Sequence, residues 1–280
     1  MNPVPRQGVS TLSKLGYLMR LLPMSAGEFC GRIASIVEAR TESYRRKSCA
    51  IEPVDWPTVV SELSRLWRVD LNAFLSEKEL GNVEQEVLRL MRAMPTNAPF
   101  GSFHCGDLRL ARLCYVLARI IQPSAIVETG VCYGVTSAFL LKALQVNRRG
   151  ALHSIDLPPL GKDADEFVGK LIPADLRGSW KLYRGASQRL LPHVLNEVRS
   201  LGLFVHDSLH TYRNMLLEFE TVRPYLAPTA VVLADDIEGN EAFDEWVEKT
   251  HPQYSAALQE ESKQSLVGVA LFQSGASLSA

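Results

Sequence analysis

Several things are scarce in this 280-residue chain, and each scarcity closes off a class of protein. No apolar run approaches the roughly 20 residues that a membrane-spanning helix needs, so a helical span is not expected. The first residues, MNPVPRQGVSTLSK, lack the apolar core of a secretory signal. The formal net charge of −1 gives no general pull toward nucleic acid or an anionic membrane. Cysteine is sparse: Cys30, Cys49, Cys105, Cys114 and Cys132 are odd in number, and their spacing fits no zinc pattern. They read as reduced thiols, most of them buried, in a cytoplasmic protein. Internal repeats and low-complexity segments are also lacking, which excludes a solenoid.

What remains is an ordinary globular composition, 46% hydrophobic and 22% charged. The chain divides into two parts, a helical N-terminal extension over residues 1–100 and a main domain over 101–280. In the extension, TLSKLGYLMRLL places Leu12, Leu15, Met19 and Leu22 on one helical face. DWPTVVSELSRLW offers Asp55 as N-cap and Pro57 in the first turn. Lys14, Arg20 and the basic RTESYRRK stretch read as a solvated face, and the helices as packing elements that could also shape an acceptor pocket or a homodimer contact. MPTNAPFGS is rich in breakers and reads as a linker. The loop around it could close over a substrate, with His104 as a candidate contact.

Beyond Gly106, helix and strand signals alternate. Strands are expected at AIVETG, ALHSIDL, SWKLYRG, LFVHD, AVVLADD, YSAALQE and SLVGVALFQ, with helical patterns after the first, third, fourth and fifth. That alternation predicts a Rossmann-like, doubly wound α/β fold with a mostly parallel, seven-stranded sheet. The last two strands are joined by a short polar turn and should form an antiparallel hairpin at the sheet edge.

In open α/β sheets, ligands bind beyond the C-terminal ends of the strands. The first strand ends in VETGVCYGVTS, where Gly130 and Gly134 flank a tight turn. The spacing is not G-x-G-x-x-G, which counts against a dinucleotide dehydrogenase. Asp156 ends the second strand and could accept hydrogen bonds from ribose hydroxyls, or simply form a turn. After the third, Gly185 and Ala186 are small enough for a flat ring to lie against the backbone. Ser187 could contact that ring's edge, serve as a helix N-cap, or do both.

Taken in order, IVETGVCYGVTSAFLLKAL, LHSIDLP, IPADLRGSWKLYRGASQRLLP, LFVHDSLHTYRNMLLEFE and VVLADDI resemble a bacterial class I S-adenosylmethionine-dependent methyltransferase. The subgroup most resembled includes macrocin-type sugar O-methyltransferases, with catechol O-methyltransferases more distant. The resemblance implies that Glu128, Gly130 and Gly134 line the methionine and sulfonium part of S-adenosyl-L-methionine. It also implies that Asp156 binds the ribose and Ser187 sits near the adenine. One departure is APTA, Ala227 to Ala230, where such chains often carry Gly-Gly before the fifth strand.

Asp207 ends the fourth strand, and Asp235 and Asp236 end the fifth. Adjacent strands lie about 4.8 Å apart, so neighbouring placement would gather three carboxylates that raise one another's pKa. A hard divalent cation, Mg²⁺ before Mn²⁺ or Ca²⁺, would relieve that conflict. The catechol O-methyltransferase resemblance puts metal ligands at the same three positions. Capping or solvated roles for these aspartates are the alternative. Asp207 is also counted with the cofactor and catalytic groups, and His210 is the candidate base for an acceptor hydroxyl. His206 should point to the opposite face from Asp207 and pack under a helix, and Tyr212 should pack on a helix face.

The function expected is a metal-assisted O-methyltransferase acting on a small molecule such as a sugar or natural product. Two other readings stay open. One is a non-heme iron hydroxylase like the cephalosporin hydroxylase group, for which His206, Asp207 and His210 supply the residue types. The other is a non-catalytic binding module on the same fold.

Overall fold

The structure is a computed structural model that describes residues 15–19, 21, 25–42, 48–95, 98–99, 107–161, 163–261 and 265–273. His104, Cys105, Lys14, Arg20 and the 100/101 boundary fall outside those residues. So does most of the loop expected to close over a substrate.

The N-terminal part contains helix α1 (Ala26–Glu42), strand β1 (Pro53–Val54) and helices α2 (Trp56–Trp67), α3 (Leu71–Leu75) and α4 (Lys78–Arg92). Asp55 caps α2 as expected, accepting from the Thr58 N–H at 2.9 Å, with Pro57 in the first turn. Helix α5 (Leu108–Ile121) is capped by Asp107 and ends before Pro123. Then come β2 (Ala125–Thr129), α6 (Val135–Asn147), β3 (Ala151–Asp156), β4 (Trp180–Arg184), α7 (Ser187–Val198), β5 (Leu201–His206), α8 (Tyr212–Val222), β6 (Leu226–Ala234), α9 (Ala242–Thr250), β7 (Tyr254–Gln259) and β8 (Leu266–Gln273).

The sheet order is β1-β7-β8-β6-β5-β2-β3-β4, with β8 antiparallel to both its neighbours and the remaining pairs parallel. The chain order reverses between β2 and β5, which places a ligand crevice above their C-terminal ends. Both strands are buried along their whole length. Such continuous burial is what a parallel sheet covered on both faces requires. The expected antiparallel pair forms, but β8 lies inside, between β6 and β7. The outer edge of β7 is taken by the two-residue β1, an eighth strand with Pro53 facing Ala257. So short a segment carries no alternation to read in the sequence, and a short proline-bearing edge resists further pairing.

Two apolar layers sandwich the sheet. One contains Val59, Leu63, Trp67, Val83 and Val87 of the N-terminal helices together with Leu110, Leu117 and Phe139. The other joins Leu191, Phe204, Phe219 and Trp246. Helices α2 and α4 therefore share the main domain's core. Ion pairs reinforce the contact, Arg112 to Glu84 and Arg119 to Glu77, both at 2.8 Å.

Helix α1 packs the other way round. Its polar residues face inward, over the strand ends. Arg32 donates to the Pro158 carbonyl at 2.8 Å, and Glu28 pairs with Arg184 at 2.7 Å. Glu38 accepts from Thr211, and Glu42 accepts from the Tyr212 N–H at 3.0 Å. Ile33, Ile36 and Val37 are exposed on the outer side. Four cysteines are described, and all are free thiols. Only Cys114 is buried, Cys49 and Cys132 are half-buried, and Cys30 is exposed, so the expectation of mostly buried thiols is corrected. Among the described residues, no helix is long and apolar enough to cross a membrane.

Candidate active site

The turn after β2 is built from glycines for a reason internal to the protein. Gly130 has φ +83, and a Cβ there would lie 1.8 Å from the Asp207 carbonyl oxygen. Gly134 has φ +86, and its Cβ would press on Ile172 and Gly169 at 2.8 and 2.9 Å. Both positions need the left-handed backbone that glycine adopts without steric cost. Gly130 thus lets the ends of β2 and β5 touch, bringing the cofactor turn against Asp207.

Asp156 sits opposite this turn. Its Oδ1 accepts from the Val131 and Cys132 N–H groups at 2.8 and 3.3 Å. Its Oδ2 is buried without a partner. Burial raises the Asp156 pKa, the two N–H bonds oppose that, and the charges of Asp207 and Asp165 add to it. One oxygen therefore shapes the turn, and the other is left for a ligand hydroxyl. Gly185 donates its N–H to the Asp156 carbonyl at 2.8 Å, which places the β4 end beside it.

Glu128 lies beneath the turn rather than on its surface. It is 1% exposed and accepts from Ser137 Oγ and Ser154 Oγ, both at 2.7 Å. Burial pushes its pKa up to about 8, against the two hydroxyls and with help from Asp207 and Asp156. Ser187 opens α7, but Ala186 occupies the cap position without a side-chain bond. Ser187 is among the hydroxyls that lower the Glu218 pKa.

At the chemistry end, the structure brings all four expected residues together around His210. His210 Nδ1 lies 2.7 Å from Asp236 Oδ2, and Nε2 lies 3.6 Å from Asp207 Oδ1. Burial disfavours the imidazolium, but the bonds to Asp207 and Asp236 and their charges outweigh it, and the pKa rises to about 10. Asp235 is 1% exposed, and its Oδ1 has no partner. Burial first, then Asp207 and Asp236, push its carboxyl well above the usual range. Asp207, His210 and Asp235 offer ligand atoms within 4.8 Å of one another, and so do Asp235, Asp236 and Glu260. Asp235 is common to both sets, and the His210 ring lies between Asp207 and Asp236. An unpartnered, fully buried carboxylate oxygen in an oxygen-rich set fits a hard divalent cation.

His206 is fully buried, edge-on to Phe219 of α8, as expected. Its Nδ1 is 2.7 Å from Glu218 Oε2. Tyr212 packs at the start of α8, and its hydroxyl donates to Glu245 at 2.6 Å. Two residues were not read from the sequence. Glu260 follows β7, and nothing local marks it. Glu218 did leave a signal, a charge on the α8 face that also buries Met215, Phe219 and Val222.

Residues 127–237 match the family Methyltransf_24, described as Methyltransferase domain. No curated protein matches the sequence. Among solved structures, the O-methyltransferase from Bacillus cereus in complex with SAH is 16% identical, covering 77% of this chain and 97% of its own, with a TM-score of 0.54. Cofactor-bound Rv0187 from MTB is 16% identical, covering 74% and 97%, also with a TM-score of 0.54. The O-methyltransferase TomG from Streptomyces achromogenes, in complex with SAM, is 17% identical over 78% and 96%, with a TM-score of 0.50. At this identity the structures speak to fold. Fold and domain match together define a class I methyltransferase. Its matched domain contains the glycine turn, Asp156, Asp207, His210, Asp235 and Asp236.

Proposed function

We propose that the protein is an S-adenosylmethionine-dependent O-methyltransferase, assisted by a divalent cation such as Mg²⁺, that methylates a hydroxyl of a small molecule such as a sugar or natural product. The observation that carries this reading is the buried, unpartnered Asp235 Oδ1, within reach of Asp207 and His210. It stands one strand from a glycine turn whose Asp156 also holds one oxygen free. The structural neighbours in complex with SAH and SAM support the cofactor. TomG, involved in Tomaymycin synthesis, supports a natural-product acceptor.

Asp156 would receive the cofactor's ribose through Oδ2, with Gly130 and Gly134 keeping the turn close. Gly185 and Ser187 would flank the adenine, and Glu128 would support the methionine side from below. Asp235 would be the central ligand of the cation, joined by Asp207 on one side or by Asp236 and Glu260 on the other. The expected trio of Asp207, Asp235 and Asp236 requires the His210 ring to move from between its outer members. The cation would supply a lowered pKa to an acceptor hydroxyl. His210 carries a proton while it sits between Asp207 and Asp236. It becomes a base only when those carboxylates are neutralised by another charge. Glu260 offers a further acceptor for an acceptor hydroxyl. Transfer requires oxygen, methyl carbon and sulfur in line, so the chain's main contribution is alignment.

Geometry favours this over an iron hydroxylase. That site needs two histidines and a carboxylate, and among the described residues His206 is in neither group of side chains whose ligand atoms converge. The free thiols support a cytoplasmic setting, and the outward apolar face of α1 supports a homodimer, tested by mass in solution. Cofactor titration by calorimetry, with and without Mg²⁺ and repeated on Asp235→Ala, tests the proposal. Unchanged cation affinity in Asp235→Ala would remove the metal. Lack of cofactor binding would favour a non-catalytic module.

A further inference from the structure

Glu218 is a fully buried carboxylate on α8 that none of the steps above uses. Donors converge on it from separate parts of the fold. Thr129 Oγ1, at the end of β2, and His206 Nδ1, at the end of β5, reach Oε2 at 2.6 and 2.7 Å. Ser208 Oγ and Asn214 Nδ2 reach Oε1 at 2.7 and 3.1 Å. Ser187, the first residue of α7, adds to the lowering of the Glu218 pKa. Asn214 also donates to Ser208 Oγ at 3.1 Å and to the Leu209 carbonyl at 3.0 Å.

The placement of these partners is informative. Thr129 precedes Gly130, and Ser187 follows Gly185, so both belong to the cofactor end. His206 and Ser208 flank Asp207, and Leu209 precedes His210, so these belong to the chemistry end. Glu218 is bonded to both groups at once. The Asp207 N–H donates to the Thr129 carbonyl at 2.8 Å and Asn240 Nδ2 to the His210 carbonyl at 3.3 Å, but the two side chains are about one-quarter exposed, and His210 alone links Asp207 to Asp236.

We propose that Glu218 is a positioning residue that locks the loop carrying Asp207 and His210 to the end of β2, keeping the chemistry end in register with the cofactor end. The proposal rests on the reading that Asp207 and His210 form that chemistry end. Glu218 touches neither cofactor nor acceptor and acts through Ser208, His206 and Thr129. Glutamine at this position preserves volume but turns an N–H₂ group toward donors, so part of the cluster is left unsatisfied.

Two full-length variants test it, Glu218→Gln and Ser208→Ala. The readouts are amide hydrogen exchange across Leu203 to Met215, calorimetric titration with Mn²⁺ and with S-adenosylmethionine, and Tm. Ser208→Ala removes two contacts of the loop, the bond to Glu218 and the one accepted from Asn214. It should raise exchange over Asp207 to Thr211 roughly tenfold or more, as expected for the loss of one to two hydrogen bonds. It should weaken Mn²⁺ binding about tenfold or more, as loss of outer-shell support does, while S-adenosylmethionine affinity and Tm hold. Glu218→Gln should show the same loop effect and weaken both ligands.

Exchange in the loop that stays at the wild-type level in both variants would overturn the proposal. So would exchange that rises equally across β2, β6 and the loop, since that marks a purely structural role. Ser208→Ala decides if Glu218→Gln does not fold. Should the wild type take up no Mn²⁺, the metal reading fails by itself, and the exchange result still decides the positioning role.

Discussion

His210 Nδ1 sits 2.7 Å from Asp236 Oδ2, and the same ring reaches toward Asp207 through its other nitrogen. An imidazole between two carboxylates keeps its proton, with a pKa of about 10. In the metal-free protein, the His210 ring signals should titrate well above pH 8 by NMR, and Asp236→Asn should move them back toward the ordinary value near 6.5. Because the folded pKa is the higher one, this interaction contributes fully below about pH 6.5 and is lost as pH rises through about 10. A wild-type titration near 6.5 would contradict the pairing.

Cation binding should release protons. Asp207 and Asp236 cannot hold a divalent ion and keep His210 charged to the same degree, so part of its proton load must leave. Mg²⁺ titrations near pH 8 in two buffers of different ionisation enthalpy should give different apparent heats. Asp235→Asn should abolish the binding, and equal heats in both buffers would count against the linkage.

Glu128 is an acid held neutral. Its folded pKa of about 8 exceeds the ordinary carboxylate value because burial outweighs the two serine hydroxyls. The folded state therefore binds the extra proton, and stability falls as pH rises from about 4.5 to about 8. In Glu128→Gln that part of the decline should vanish, so the variant's Tm should gain on the wild type between pH 5 and pH 8 (roughly the window of the shift). Parallel Tm curves over this range would show that Glu128 is ionised in the fold.

Gly130→Ala should be severe. The new methyl would meet a backbone oxygen at 1.8 Å in a left-handed residue, and neither the clash nor the strain can be relieved by a side-chain turn. A loss of more than about 2 kcal/mol is expected in urea unfolding. A neutral substitution would mean that β2 and β5 part more easily than their pairing implies.

Helix α1 is fastened by polar contacts on its inner face. Arg32→Ala removes the bonds to Glu28, at 2.9 Å through Nε, and to the Pro158 carbonyl, at 2.8 Å through Nη2. Limited proteolysis should then cut within residues 26–42 sooner. High salt should have the same effect in the wild type, because the Arg184 partner of Glu28 is 44% exposed and screened. Unchanged cleavage would place the fastening elsewhere.

The fold was largely legible because strand and helix periods are strong between Leu108 and Gln273. Asp156, Asp207, Asp235 and Asp236 could be singled out because each stands at the end of an expected strand, and the parallel topology puts those ends on one side. The contacts that finish the site were not legible. Glu260 reaches it only because β8 inserts between β6 and β7, an order no local pattern encodes. The inward polar face of α1 looks in the sequence like a solvated face, since Glu28, Glu38 and Glu42 find partners more than a hundred positions away. Ser187 has the chemistry of an N-cap, yet the helix starts one residue early for it, with Ala186 at the cap.

The most direct measurement is calorimetric titration of the full-length protein with S-adenosylmethionine, alongside Asp156→Ala. The account predicts saturable binding at one site per chain and a weakening of tenfold or more in the variant, about 1.4 kcal/mol. Absence of binding in the wild type, or equal affinity in Asp156→Ala, would contradict the assignment of the cofactor to these strand ends.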